Sequence, residues 1–145
     1  MFRITKQADY GFVLLGQFAG PESGEVLSAK ELAQETGLPQ PMVGKILKLL
    51  VGGGILVSQR GAHGGYSLAR PADQINLVQI IECLEGPVAV TSCCDTVEAG
   101  NCQIQHGCRV RVNWRRVGHR IREMLAGLTL ADMVDDAAPL GGLRG

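Results

Sequence analysis

Apolar residues recur at intervals of three and four in several segments, the spacing that places side chains on one face of an α-helix. The first segment closes near Gly20, and a short second segment opens at a capping box of Ser28 and Glu31 and stops at Gly37. A third begins around Pro39 and ends at the glycines of 52–54. The apolar positions of the first and third predicted helices are Ile4, Ala8, Gly11, Phe12, Leu15, Ala19, Val43, Ile46, Leu47 and Leu50.

Residues 55–59 and 66–69 are predicted strands, and the glycine-rich link Arg60-Gly61-Ala62-His63-Gly64-Gly65 joins them into a β-hairpin. Helix, short helix, turn, helix and hairpin is the order of a winged helix-turn-helix domain. The fold class is therefore predicted as mainly α with a small β-hairpin. The alternative is a small α+β domain whose hairpin only packs on its helices.

The remainder of the chain contains two further helical patterns. A capping box of Asn76 and Gln79 opens one helix, which ends near Gly86. From about Cys108, apolar residues alternate by four and three on a segment otherwise rich in arginine, which is typical of a helix that packs on one other helix. We predict a dimer interface along this stripe, or docking on its own domain as the alternative. Its residues are Val110, Trp114, Val117, Ile121, Met124 and Leu128.

These patterns predict a winged helix-turn-helix domain over 1–86 and a cysteine-rich cluster-binding loop over 87–107. A long dimerisation helix is expected over 108–134 and a disordered tail over 135–145. The apolar run that follows Arg3 and Lys6 is too short for a secretory signal, and Lys45 and Lys48 interrupt the only longer one. We expect a cytoplasmic protein with no membrane partner, in which thiols stay reduced.

The formal net charge is zero, but the charges are distributed unevenly. Residues 39–70 contain no acid and carry a charge of +4, and residues 109–122 contain six arginines and no acid. Local rather than total charge decides contact with phosphate. The sequence therefore favours a double-stranded DNA partner.

In a winged helix-turn-helix domain the second helix of the motif enters the major groove with its amino-terminal end leading. We expect the amino-terminal part of this helix to read base edges and a lysine further along it to meet phosphate. The wing is expected at the adjacent minor groove or backbone. The predicted contacts are Gln40, Pro41, Gly44 and Lys45 for bases, Lys48 for phosphate, and Arg60 and His63 in the wing.

Four cysteines, Cys93, Cys94, Cys102 and Cys108, fall within sixteen residues. Thiolates suit iron–sulfur clusters, Zn²⁺ or Cu(I). The paired cysteine knuckles of a structural zinc site are missing, which favours a cluster held by a loop. The fifth, Cys83, is predicted to be a small buried hydrophobe. A redox enzyme is disfavoured because the sequence has no C-x-x-C motif and no convergent catalytic set, so we predict no enzymatic activity.

The chain resembles the IscR/NsrR/RirA-type (Rrf) family of winged-helix regulators, and within it the regulators of SUF iron–sulfur assembly operons. The resemblance rests on Ile4-Thr5-Lys6, Asp9-Tyr10, Arg60-Gly61-Ala62-His63-Gly64-Gly65-Tyr66, Ile80-Ile81-Glu82, Cys94, Cys102, Cys108 and Asn113-Trp114. It implies a homodimer that binds an imperfect palindrome through winged-helix domains, with the long carboxy-terminal helices crossing. Each subunit is expected to hold one iron–sulfur cluster, of the 2Fe–2S or 4Fe–4S type, whose state sets DNA affinity.

The expected function is that of a repressor of iron–sulfur assembly genes that senses cluster status, iron or redox stress. The alternatives are a zinc- or thiol-based redox-sensing regulator and a nitric-oxide-sensing repressor. Cys94, Cys102 and Cys108 leave one ligand position open. Asp9 from the other subunit is the favoured fourth ligand by resemblance, although it can equally be an exposed helix acid. His106 and Cys93 are the less favoured candidates, and Arg111 stands where some relatives have a histidine.

Overall fold

The computed structural model describes residues 3–20, 24–91, 103–104 and 106–135. These residues form six α-helices, one more than the apolar pattern predicts, the expected antiparallel hairpin and a single turn of 3-10 helix at Ala72–Gln74. The elements are α1 (Lys6–Phe18), α2 (Ala29–Thr36), α3 (Gln40–Gly52), β1 (Leu56–Gln59), β2 (Gly65–Leu68), α4 (Leu77–Glu85), α5 (Arg111–Ala126) and α6 (Leu130–Val134).

Two helices begin at the capping boxes expected from the sequence. The Ser28 hydroxyl accepts from the Glu31 amide at 3.2 Å, while the Glu31 carboxylate accepts from the Ser28 amide at 2.7 Å. Asn76 and Gln79 make the same reciprocal pair at 2.9 and 3.0 Å. Each box satisfies backbone donors that a helix start otherwise leaves open. Both predicted helix starts are therefore confirmed.

The core lies between α1, α3 and α4, with α2 packed on α3. α1 and α4 approach closely at Gly11, where a Cβ would lie 2.3 Å from Leu84 Cδ1. The side chains on these faces are almost completely removed from water. The hydrophobic effect favours this burial and stabilises the core. Residues at the centre of this core include Leu14, Leu15, Leu32, Val43, Ile46, Leu47, Leu50, Ile55 and Ile80.

The hairpin pairs Leu56 with Leu68 at its base and Gln59 with Gly65 at its tip. Its second strand also pairs with the segment before α2. The Leu27 amide donates to the Tyr66 carbonyl at 2.9 Å, and the Tyr66 amide donates to the Leu27 carbonyl at 2.8 Å. The wing is thus hydrogen-bonded to the helix-turn-helix, which fixes its position beside α3.

The prediction of a single helix over 108–134 is wrong, because this part of the chain forms two helices. α5 ends at Ala126, and a capping box of Thr129 and Asp132, with bonds of 2.8 and 3.2 Å, begins α6. Between them the chain pairs with the start of α4, since the Leu77 amide donates to the Leu128 carbonyl at 2.9 Å. The isolated bridge between Asn76 and Thr129 continues this pairing.

This connection changes the assignment of one predicted interface residue. Leu128 is buried in its own chain against Leu77 and Ile81, so it does not belong to a partner-facing stripe. Among the described residues, no helix is long and apolar enough to cross a membrane. The predicted tail lies outside the described residues except for Asp135.

Candidate DNA interface and sensor segment

α3 turns one face inward and leaves a polar face in solvent. Val43, Ile46, Leu47 and Leu50 are buried on the inner face. The predicted contact residues Gln40, Pro41, Lys45 and Lys48 are all exposed on the outer face. The first turn carries no acid and no side chain caps it, so its positive dipole end stays available to an anion.

Gly44 lies on the same helix without a structural need for glycine. A Cβ built there meets nothing within 4 Å, although glycine inside a helix costs about 0.5–1 kcal/mol relative to alanine. Its chain neighbours therefore do not explain the glycine.

The wing tip depends on glycines at three positions. Gly61 has a φ of 117°, which favours glycine over any side chain. At Gly64 a Cβ would lie 2.5 Å from the Gln59 carbonyl oxygen, and at Gly65 it would lie 2.6 Å from the Leu27 carbonyl oxygen. These glycines form a compact tip on which Arg60 and His63 are exposed.

The basic residues between 39 and 70 have different surroundings. Lys45, Lys48 and Arg60 form no ion pair with a described residue. Arg70 instead donates long hydrogen bonds to the Gly54 carbonyl at 3.5 Å and the Gln79 side chain at 3.4 Å. Arg70 therefore connects the base of the wing to α4, and the other three are free to meet phosphate.

Most of the predicted metal ligands lie outside the described residues, namely Cys93, Cys94 and Cys102. Cys108 is a free, half-buried thiol, and His106 is exposed. Asp9 is exposed in the first turn of α1. Within the described ranges no three potential metal ligands come together, so the ligand set stays a prediction.

One buried polar atom close to Cys108 fits an anionic cofactor. The Nε atom of Arg111 is buried and has no hydrogen-bond partner in the described part of the chain. Two turns further along α5, Gly118 packs on Val90, with a built Cβ 3.7 Å from Val90 Cγ2. Arg111 thus lies on the side of α5 that faces the segment leading into the cysteines. A buried N–H needs an acceptor, and a thiolate or cluster sulfide is a suitable one.

Cys83 packs against the core as the sequence predicts, but it is half-buried and not fully buried. Its Sγ atom lies 3.0 Å from the Leu49 carbonyl oxygen, and burial raises the pKa of the thiol. A Cβ at Gly53 would lie 2.3 Å from this sulfur. Cys83 is therefore a protonated packing residue between α4 and the end of α3.

α5 carries two adjacent faces with different surroundings. Gly118 and Leu125 pack on the same chain, and Arg122 forms an ion pair with Glu82 at 2.9 Å that raises the pKa of the guanidinium. The neighbouring face keeps most of the predicted stripe in solvent, with Ile121 half-buried. Its exposed members are Val110 (53%), Trp114 (41%), Val117 (42%) and Met124 (54%).

Sequence reasoning missed a groove beside α3. It has a volume of about 450 Å³ and lies between α1 and the amino-terminal half of α3, where Lys6 and Tyr10 face Pro41 and Lys45. In the sequence, Lys6 and Tyr10 stand out only by resemblance to a family. The signal that identifies the groove is the pairing of α1 with α3, which a single sequence does not reveal.

A helix-turn-helix unit with an exposed basic second helix and a hairpin bonded beside it defines a winged-helix DNA-binding protein. The sequence model of the Rrf2 family, described as an iron-dependent transcriptional regulator, matches residues 4–136. The chain belongs to the Rrf2 family. It is accordingly a DNA-binding transcriptional regulator and not an enzyme, as predicted.

Individual relatives agree with this assignment. The protein rrf2 of Nitratidesulfovibrio vulgaris is 30% identical over 136 residues, which cover 94% of this chain and 89% of the relative. The structure of CymR, the global cysteine regulator of B. subtilis, is similar with a TM-score of 0.73 and 26% identity, covering 92% of this chain and 97% of that one. IscR of T. potens has a TM-score of 0.69 and 28% identity, covering 94% and 89%.

Proposed function

We propose that this chain is a homodimeric repressor that binds an imperfect palindrome and changes its DNA affinity with the state of an iron–sulfur cluster. The observation that carries the proposal is the combination of an acid-free basic face on α3 and the wing with a solvent-exposed apolar face on α5. The first suits one half-site of DNA. The second suits a twofold partner, which places two such half-sites at a fixed spacing.

The DNA-reading part of the proposal uses α3 and the wing. Gln40, Pro41 and Lys45 lie at the amino-terminal end of α3, where base edges come within reach. Gly44 lets the DNA approach the helix closely. Lys48 and the wing residues Arg60 and His63 add contacts to phosphate or the adjacent minor groove.

The proposed sensor is a cluster bound by Cys94, Cys102 and Cys108, with Asp9 of the other subunit as a weak fourth ligand. Three findings support it: the resemblance of the three cysteines to the family's ligands, the iron dependence in the family description, and the Nε of Arg111, which has no hydrogen-bond partner among the described residues. When bound, a cluster supplies a redox-active and iron-dependent centre. The chain's own contribution is to hold three thiolates beside the start of α5 and to place a buried donor there.

The second candidate is a thiol-based redox sensor without a metal. Two observations favour it. One is the structural similarity to CymR, the global cysteine regulator of B. subtilis, and the other is the free thiol at Cys108. This sensor would use the same DNA interface. The two candidates differ in what the cysteine segment binds.

The DNA proposal is tested at the wing. Selection from a random duplex library should enrich an imperfect palindrome, which then serves as the probe. Arg60→Ala should weaken binding and flatten its salt dependence by about 0.9 per lost phosphate contact in each subunit. Ser58→Ala, an exposed change in β1 that alters no charge, is the control. An unchanged salt slope for Arg60→Ala would remove the wing from the interface.

The sensor proposal is tested by anaerobic purification and absorption spectroscopy. Cluster-loaded protein should be brown, and replacement of Cys94, Cys102 or Cys108 by Ser should each abolish the colour. Cys83→Ser is the matched control and should keep the chromophore, because Cys83 packs on Gly53 at the end of α3. A colourless protein with cysteine-dependent redox control of DNA binding would favour the thiol sensor.

A further inference from the structure

The groove between α1 and α3 combines positive charge with unused hydrogen-bond donors. Lys6 and Lys45 line it from opposite helices, and neither forms an ion pair with a described residue. No acid lines the groove, and Asp9, the acid of the first turn of α1, lies outside its lining. The electrostatic environment therefore favours an anion.

Tyr10 adds a positioned polar group to the same groove. Its half-buried ring packs against the core, while its hydroxyl makes no hydrogen bond within the part of the chain that the structure describes. A tyrosine fixed through its ring loses little conformational entropy when its hydroxyl donates to a ligand. Gln7 is also fixed, because its amide nitrogen donates to the Leu84 carbonyl at 2.6 Å. The groove thus has a firm α1 wall.

The location of the groove relates it to the DNA-reading helix. Pro41 and Lys45 belong both to the groove and to the face of α3 proposed to reach base edges. A helix of about 10 Å diameter nearly fills the major groove, which is about 12 Å wide. An element packed directly beside the amino-terminal end of α3 therefore lies against the DNA strand that borders the major groove.

We propose that the α1–α3 groove binds a backbone phosphate of this bordering strand. Lys6 and Tyr10 donate to its oxygens, and Lys45 adds charge from the opposite wall. The inference rests on the proposed use of α3 as the reading helix, and it gives a role to the Thr5-Lys6 and Tyr10 segment. Since phosphates are the same in every sequence, Lys6 and Tyr10 contribute affinity and orientation but not base preference.

The test is a salt titration of binding to two duplexes, one of random sequence and one carrying the selected palindrome. Lys6→Gln should reduce the slope of log Kd against log salt by about 0.9 for each subunit, equally on both duplexes. Lys6→Arg should restore it. Tyr10→Phe should weaken binding several-fold with no change in slope, because it removes a donor without removing a charge.

Arg116→Gln is the matched control for loss of one positive charge. Arg116 is exposed on the side of α5 that carries His119 and Glu123, and α5 packs on α4. A Lys6→Gln slope equal to that of the wild type, or a fall that the control reproduces, would overturn the inference. A loss of discrimination between the two duplexes would also contradict a pure phosphate contact. A wild-type protein that binds both duplexes equally would instead refute the proposed specific operator binding.

Discussion

At the residue scale, single glycines separate positions that serve the fold from positions open to a partner. Gly44 lies within α3, and Gly53 caps the end of that helix. A Cβ built at Gly44 meets nothing within 4 Å, whereas a Cβ built at Gly53 would overlap a neighbouring atom. Gly53 has a φ of −86°, which any residue can adopt, so the reason for glycine is steric and not conformational. The neighbour is the Cys83 sulfur.

Gly53→Ala is expected to destabilise the protein by about 1–2 kcal/mol, because the new methyl group overpacks Cys83 and disturbs its contact with Leu49. Chemical denaturation followed by circular dichroism measures the change. Gly52→Ala is the control, since a Cβ at Gly52 meets nothing within 4 Å, and it should be neutral or slightly stabilising.

A second variant tests the cause of this destabilisation. In a Cys83→Ala background the sulfur is absent, so Gly53→Ala should cost clearly less than in the wild type. The remaining cost comes from the Cβ of residue 83, which would lie 3.0 Å from the new methyl group. Equal costs in both backgrounds would mean that the sulfur is not the obstacle.

At the element scale, helices whose ends carry capping residues could be located from the sequence. Ser28 with Glu31 and Asn76 with Gln79 begin α2 and α4 where expected, because each box is a local interaction that the sequence records completely. Thr129 and Asp132 carry the same local signal, but the apolar stripe that continues through Leu128 favours one uninterrupted helix and masks it.

The burial of Leu128 could not have been predicted in this way. Its periodic spacing assigns it to the stripe on α5, whereas its backbone pairs with Leu77 some fifty positions earlier in the chain. Long-range pairing of this kind depends on tertiary packing, which overrides helical periodicity at the end of a helix. The exposed basic face of α3 and the glycine-rich tip of the wing were easier to predict, because charge and glycine placement are local features of the sequence.

The exposed face of α5 leads to a prediction about assembly. Trp114→Asp should convert the proposed dimer into monomers, because the mutation places a charge where Trp114 and Val117 would be buried against a second copy. Analytical ultracentrifugation measures the mass, and binding to a palindromic duplex should fall with it. Arg116→Asp on the opposite side of α5 is the control and should stay dimeric. A dimeric Trp114→Asp protein would locate the interface elsewhere.

At the scale of the whole molecule, the proposed sensor and DNA reader are connected through packed helices. Asp9 lies on α1, which packs against both α3 and α4, while α5 packs on α4 and follows Cys108 directly. A cluster bound by the cysteines and by Asp9 of the other subunit would connect α1 of one subunit to the start of α5 in the other. Such a connection restricts the angle between the two α3 helices of a dimer.

This arrangement predicts that cluster-loaded and cluster-free protein differ in operator affinity. A coupling free energy of about 1–3 kcal/mol is enough to change affinity by roughly 5- to 150-fold. Anaerobic fluorescence anisotropy with the selected palindrome, at one salt concentration, measures both forms.

Asp9→Ala should still assemble a cluster but lose it faster. The operator affinities of its loaded and cluster-free forms should lie closer together, because the connection to α1 is gone. Asp73→Ala, which removes another exposed acid in the 3-10 turn, should behave as the wild type. Equal affinities for the loaded and cluster-free wild-type protein would make the sensor proposal wrong, even if the three cysteines hold the cluster. A cluster that binds the high-affinity and low-affinity conformations of the protein equally cannot shift the balance between them.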